Sequence, residues 1–385
     1  MVECNKSTSI FVLGLASSMM TDIRLSPTNE QSKMEFGYAF CVTFLVFISF
    51  ISNMLTILTF IRQKLRQTPT GIYIICYSIY SPIGMLMLQF RLIQFIDWLS
   101  YTSFVFICNV VSGLASVLTR QCVWMTGLIA LQRSLEAKGI GKRVSGTRRS
   151  SICQIFALSL VIVIMHIHEF YSRVSLPDPI APGKWICEIL YTPSLNILNT
   201  VLAFLHLLFP FFLNLLANSF IIRTVVSRKL HLQSETNSFT FYQMCKKQLK
   251  RHRDLFIAPT LSIVCMLPQL ILSLNYSCID LREKWLLRLN TSANLIIYLP
   301  QTLTFLIYVY PSTLYYNEFQ LQIKRIRRYF GIEKDTLISN RKEKKTFATL
   351  KIRNHSSPVD QKLAVPTISS NKKRNKTLET AFTSF

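Results

Sequence analysis

LIALQRSLEAKGIGKR, residues 128–143, carries an apolar run into a basic loop. The run closes on Arg133, set between Gln132 and Ser134, and Lys138, Lys142 and Arg143 follow it. The same alternation of apolar run and basic connector recurs along the whole chain. Half of the 385 residues are apolar and 16% are charged, where a soluble domain carries about 25% charged residues. Seven runs stand out, at 36–61, 72–95, 104–130, 151–170, 194–222, 255–275 and 291–316. Each supplies the roughly 20 residues that a helix needs to cross the hydrocarbon layer. Backbone amides find no water in lipid, so these runs are expected as helices. The fold class is an all-α membrane protein, a bundle of seven transmembrane helices.

The charges orient the bundle. The loops after the first, third and fifth runs and the tail from Glu318 together carry +24, while the amino-terminal segment and the other three loops carry −2. Lys and Arg mark the cytoplasmic side, so the amino terminus lies outside and the carboxy terminus inside. Basic residues beside a membrane attract anionic lipid. That accounts for the pI of about 9.8 without nucleic acid as a partner.

Residues 1–35 form an extracellular segment, 36–316 the bundle, 317–330 an amphipathic cytoplasmic helix and 331–385 a disordered basic tail. The helix at 317–330 is marked by Phe319, Ile323, Ile326 and Phe330, which recur at helical spacing beside Lys324, Arg325, Arg327 and Arg328. The tail is rich in Lys, Ser, Thr and Asn with little to bury. Its Ser356, Ser357, Ser369, Ser370, Thr377 and Thr380 are candidate phosphorylation sites that would recruit an arrestin-like protein. The stretch IFVLGLASSMM (10–20) is too short to span and is alternatively the apolar core of a signal peptide. Asn5, in Asn5-Lys6-Ser7, is a glycosylation acceptor on the outer side.

The ten cysteines show no paired CxxC spacing, which argues against zinc. Cys108 and Cys187 both fall on the outer side, where a disulfide persists; the alternative is two unrelated thiols. Cys4 and Cys278 are candidates for a second bridge. HIHEF (166–170) invites a metal reading, but residues two apart do not share a helix face. A polar rim at the mouth of a cavity is the expectation there.

Over residues 36–330 the chain resembles the rhodopsin-like (class A) G-protein-coupled receptors. The resemblance rests on Asn53 in FISNMLTILTF, the junction LRQTPTGIYIICYSIY, and Cys108 followed 25 residues later by Arg133. It continues with Pro210 in LLFPFFLNLLAN, Pro268 in VCMLPQL and Pro311 in YVYPSTLYYNEF. It implies that Cys108 pairs with the second outer loop, through Cys187. It also implies that Arg133 receives the tail of a heterotrimeric G protein when the inner end of the bundle opens, with Pro268 and Pro311 as further switch residues; Pro210 and Pro268 are expected to kink the fifth and sixth spans.

Several positions depart from the family. Gln132 and Ser134 flank Arg133 where Asp and Tyr are usual, Ser81 stands in place of the sodium-binding Asp, Met266 replaces a Trp, and Tyr310 replaces an Asn. Gln132 cannot neutralise Arg133, so the closed-state lock is expected to be weak. Ala115, seven residues after Cys108, occupies the place where amine receptors carry an Asp, which disfavours a biogenic amine. Arg91 and Arg120 lie within spans, where ionisable groups are costly. Either they meet an anionic group of the ligand, or they pair with Glu169, Asp97 or Glu188, with snorkelling open to Arg91. With Glu169 and Met266 they complete the candidate ligand residues.

The expected function is a receptor that binds an extracellular ligand, with a lean to a peptide or an acidic small molecule, and activates a G protein at the plasma membrane. The alternative is a seven-helix transporter or channel. No nucleophile–base or metal constellation points to an enzyme, and no cofactor is implied.

Overall fold

A computed structural model describes residues 8–9, 15–93, 100–138, 148–177, 185–233, 253–275, 278–279 and 284–330. Asn5, Cys4, Asp97 and residues 331–385, where an arrestin-like partner was expected to bind, lie outside the described residues. In chain order the helices are α1 (Leu15–Arg24), α2 (Thr28–Phe60), α3 (Gln63–Arg66), α4 (Pro69–Ile93), α5 (Tyr101–Phe106), α6 (Ser112–Lys138) and α7 (Arg148–Ser172). Then come α8 (Pro193–Gln233), α9 (Arg253–Asn275), α10 (Lys284–Ile297), α11 (Leu299–Thr302) and α12 (Thr313–Tyr329). A π-helical stretch, Ile107–Val111, joins α5 to α6. Two short antiparallel ladders complete the set: β1 (Thr8–Ser9) with β4 (Cys278–Ile279), and β2 (Arg173–Pro177) with β3 (Trp185–Ile189).

Among the described residues six segments are long and apolar enough to cross a membrane: Thr28–Phe60, Pro69–Leu92, Tyr101–Glu136, Arg148–Ser172, Pro193–Thr224 and Leu255–Asn275. Helix α2 shows what solvent they are built for. Its Phe36, Phe40, Phe44, Phe47 and Phe50 are exposed, while Ser49, Ser52, Asn53, Thr56 and Thr59 are buried. A water-soluble helix does the reverse. Lipid accepts the aromatic face, and helix–helix contacts take the small polar one. The architecture is that of an all-α, multi-pass membrane protein.

The seventh run, 291–316, is not one continuous helix. It falls across α10, α11, a π-helical stretch at Phe305–Val309 and the start of α12, of 14, 4, 5 and 17 residues. Pro300 and Pro311 supply no backbone N–H, and Thr302 and Thr304 hydroxyls bond back to Leu299 and Gln301 carbonyls. The last helix starts at Thr313, before the expected 317. Helix α8 runs to Gln233, well past the expected 222.

The amino-terminal segment also departs from expectation. Leu15, Ala16 and Met19 of α1 form one core with Val42, Leu88 and Leu92, with Tyr298 packed against it. Asp22 is fully buried; it accepts from the Tyr38 hydroxyl at 2.7 Å and from Arg288 Nε at 3.2 Å. Residues 15–24 therefore belong to the folded core. Met1–Arg325 forms one unit, in which α6 packs against α4, α7 and α8. The second unit begins at Ile326, and its described residues are the end of α12 and Phe330.

Candidate functional site

Helix α6 and the π-helical stretch before it link three polar centres. At one end Cys108 is bonded to Cys187 of β3, across 79 residues of chain. The β2–β3 hairpin places Cys187 opposite Ser175, and Tyr101 packs on Trp185 with ring centroids 4.5 Å apart.

Between that bridge and the middle of the bundle lies a charged cluster. Glu169 Oε2 accepts from Arg173 Nη2 at 2.8 Å, and Glu169 Oε1 lies 2.8 Å from His166 Nδ1. All three side chains are buried. His166 stacks on His206 with centroids 4.8 Å apart, and Trp124 Nε1 donates to His206 Nδ1 at 2.8 Å. HIHEF is therefore not a polar rim. His166 and Glu169 lie in the interior because the i,i+3 and i,i+4 spacings let Glu169 meet His166 and Arg173 together. Among the described residues no group of three His, Cys, Asp or Glu side chains is placed to hold a metal.

Arg91 and Arg120 are half-buried. Neither pairs with Glu169, whose oxygens serve Arg173 and His166, and Glu188 is exposed on β3. Arg91 Nη2 has one long contact, 3.4 Å to Ser17 Oγ of α1, and its Nε is buried without a partner. Tyr298 is an electrostatic neighbour of both arginines, and its hydroxyl lies 3.4 Å from Thr119 Oγ1. Ala115 and Met266 are buried. Met266 packs with Val123, Leu207 and Leu270, and it lines a small apolar cavity with Val123, Cys122, Tyr77 and Ile297.

The second centre surrounds Asn53. Its Nδ2 donates to the Gln301 carbonyl at 3.0 Å, and Ser81 Oγ donates to the same oxygen at 2.8 Å. Ser81 thus ties α4 to α11, at the place where the resemblance would put a sodium-binding carboxylate.

The third centre is Arg133. It is 4% exposed, and its guanidinium lies 5.2 Å from the centroid of the Tyr308 ring, within cation–π range. Tyr77 packs edge-on against Tyr308 at 5.9 Å. Gln132 Nε2 donates to Glu136 Oε1 at 3.3 Å, and the Thr70 hydroxyl donates to that oxygen at 2.7 Å. Glu136, one turn from Gln132, thus takes the Gln132 amide rather than leaving it to face Arg133 alone. Pro268 lies inside α9 with Pro259, and Pro311 is buried between the last π-helical turn and α12. Glu318 of α12 pairs with Arg62, between α2 and α3.

Neither a family model nor a curated protein matches the chain. The family resemblance accordingly rests on the quoted residues alone.

Arg173, His206, Tyr298, Asp22 and Arg288 were absent from the sequence reading. Arg173 was within reach of it, since it follows Glu169 by four residues. The others join the network only through contacts between distant segments.

Removing the charge of Glu169 tests the cluster. Glu169→Gln leaves Arg173 buried without a counter-ion, and loss of one partner of a buried pair costs about 3 kcal/mol. The unfolding midpoint of the purified protein is expected to drop accordingly, and Arg173→Leu combined with Glu169→Leu is expected to recover most of the loss. A midpoint unchanged in Glu169→Gln would mean that water already screens the pair.

Proposed function

We propose that the protein is a rhodopsin-like G-protein-coupled receptor. An extracellular ligand engages the cluster around Arg91, Arg120 and Glu169, and Arg133 engages a heterotrimeric G protein at the other end. In this reading the last interrupted segment completes a seventh crossing, α12 follows it along the inner leaflet, and the protein lies in the plasma membrane with its amino terminus outside. One observation carries the reading. A continuous helical segment holds the Cys108–Cys187 bridge at one end and a buried arginine against Tyr308 at the other. Movement of that segment relative to its neighbours would couple an outer site to an inner one, the requirement for a two-state switch. Prolines inside α8 and α9 supply the kinks.

The break between α10 and α12 favours the rival reading, a transporter or channel, because unwound carbonyls coordinate ions in such proteins. Against it, the Gln301 carbonyl is already taken by Asn53, Ser81 and Thr304. Nucleotide exchange on a purified G protein, driven by the reconstituted protein, separates the two. Exchange above the protein-free rate is expected. Solute flux across the vesicle wall without exchange would overturn the receptor reading.

The tail gives a second handle. Truncation after residue 335 removes Ser356, Ser357, Ser369, Ser370, Thr377 and Thr380. Membrane insertion is expected to persist while desensitisation and internalisation are impaired. Internalisation at the full-length rate would refute a regulatory tail.

A further inference from the structure

Charge does not balance in the ligand cluster. Arg91, Arg120 and Arg173 are electrostatically linked to Glu169, His206 and Tyr298, and Glu169 is the sole carboxylate among these residues. Arg173 takes it. Among the described residues Arg120 makes no hydrogen bond or ion pair, and Arg91 has only its long contact to Ser17. A guanidinium does not shed its proton in a protein, so both charges persist. Charges within or at the end of an apolar span are costly. An anion from outside the chain would offset such a deficit.

We propose that Arg120 and Arg91 hold the carboxylate of a small organic acid, with the Tyr298 hydroxyl as a further donor. The assignment deepens the receptor reading and rests on it for calling this acid the ligand. Two features set the class. Val123 lies three residues beyond Arg120, on the same helix face. With Cys122, Met266 and Ile297 it lines an apolar cavity of about 10 Å³ on the inner side of the arginine, the room of about one water, so that only an apolar edge of the ligand rests there. A monoanion with an apolar body suits that wall, whereas a strongly hydrated dianion such as phosphate would lose solvation there. Size is limited by α1, because Ser17 contacts Arg91 and Tyr298 packs on the core made by Leu15, Ala16 and Met19. A folded peptide would have to displace that helix; a small acid need only pass its edge. Planar, bidentate acceptance from a guanidinium is what a carboxylate does best.

The test uses the full chain in lipid nanodiscs without any G protein. Unfolding midpoints are measured with acetate, butanoate, hexanoate, benzoate and phenylacetate, each against its neutral amide, and with sodium chloride and inorganic phosphate. At least one of these carboxylates is expected to raise the midpoint saturably while its amide does not. Arg120→Gln is expected to abolish the shift, and Arg91→Gln to weaken half-saturation about ten-fold, the loss of one charge-assisted contact. Arg120→Lys, which keeps the charge, should retain part of the response. The assignment fails if none of the acids shifts the wild type, or if an amide matches its acid. It fails equally if phosphate or chloride produces the same shift, or if Arg120→Gln responds as the wild type does. Carboxylate binding without nucleotide exchange would keep this site and remove the receptor reading; exchange without carboxylate binding would do the opposite.

Discussion

Arg133→Ala is expected to abolish nucleotide exchange on the G protein while leaving surface delivery nearly intact. The side chain is buried against Tyr308, and the outward movement of helices in an active bundle would release its planar donors to an inserted helix. Alanine removes those donors and a cation–π contact of about 0.5–2 kcal/mol, a loss the fold tolerates. Gln132→Asp probes the restraint on the same residue. An added carboxylate beside Arg133 would form a charge-assisted hydrogen bond of about 1.5–3 kcal/mol. In a two-state balance that lowers the active fraction about ten- to a hundred-fold. Basal exchange should fall by that factor at matched surface level. Glu136, already bonded to Thr70, sits one turn away and would repel the new acid, so Gln132→Asp combined with Glu136→Gln should show the larger drop. Full coupling by Arg133→Ala would leave the arginine only a role in membrane topology. Unchanged basal activity in Gln132→Asp would locate the restraint in the Tyr308 contact instead.

Loss of the Cys108–Cys187 bridge is expected to be the largest stability defect from any single bond. Closing 79 residues restricts the unfolded chain by about 4–5 kcal/mol in the loop-entropy picture. Cys187→Ser should lower the unfolding midpoint of purified protein, and mild reduction of the wild type should match it. The β2–β3 hairpin should also become protease-sensitive, because the bridge anchors it to the helix that begins at Tyr101. Peptide mapping without reduction checks the pairing directly, and finding both thiols free in surface-delivered protein would refute it.

The amino-acid sequence by itself determined where lipid lies. Long runs free of charge cannot be exposed to water in bulk, and basic loops mark one side, so the six described spans follow from composition and period alone. The Cys108–Cys187 pair was legible for a similar reason, since the inferred topology placed both cysteines on the outer side. The seventh run looked as apolar as the others, yet it is divided at Tyr298–Leu303. Asn53 and Ser81, distant in sequence, offer hydrogen bonds to the Gln301 carbonyl that the helix gives up. Residues 15–24 looked like a short apolar tail, and only the pocket made by Val42, Leu88, Leu92, Tyr38 and Arg288 turns them into a core helix. Charge pairing was the least legible feature. On paper Arg91 and Arg120 had Glu169, Asp97 and Glu188 as candidate partners, and Arg173, four residues after Glu169, was not weighed against them. A carboxylate has two oxygens and a fixed place, and the i,i+3 and i,i+4 geometry of α7 and its continuation gave them to His166 and Arg173. Local spacing gave Glu169 to Arg173, and tertiary structure left Arg91 and Arg120 without a carboxylate among the described residues.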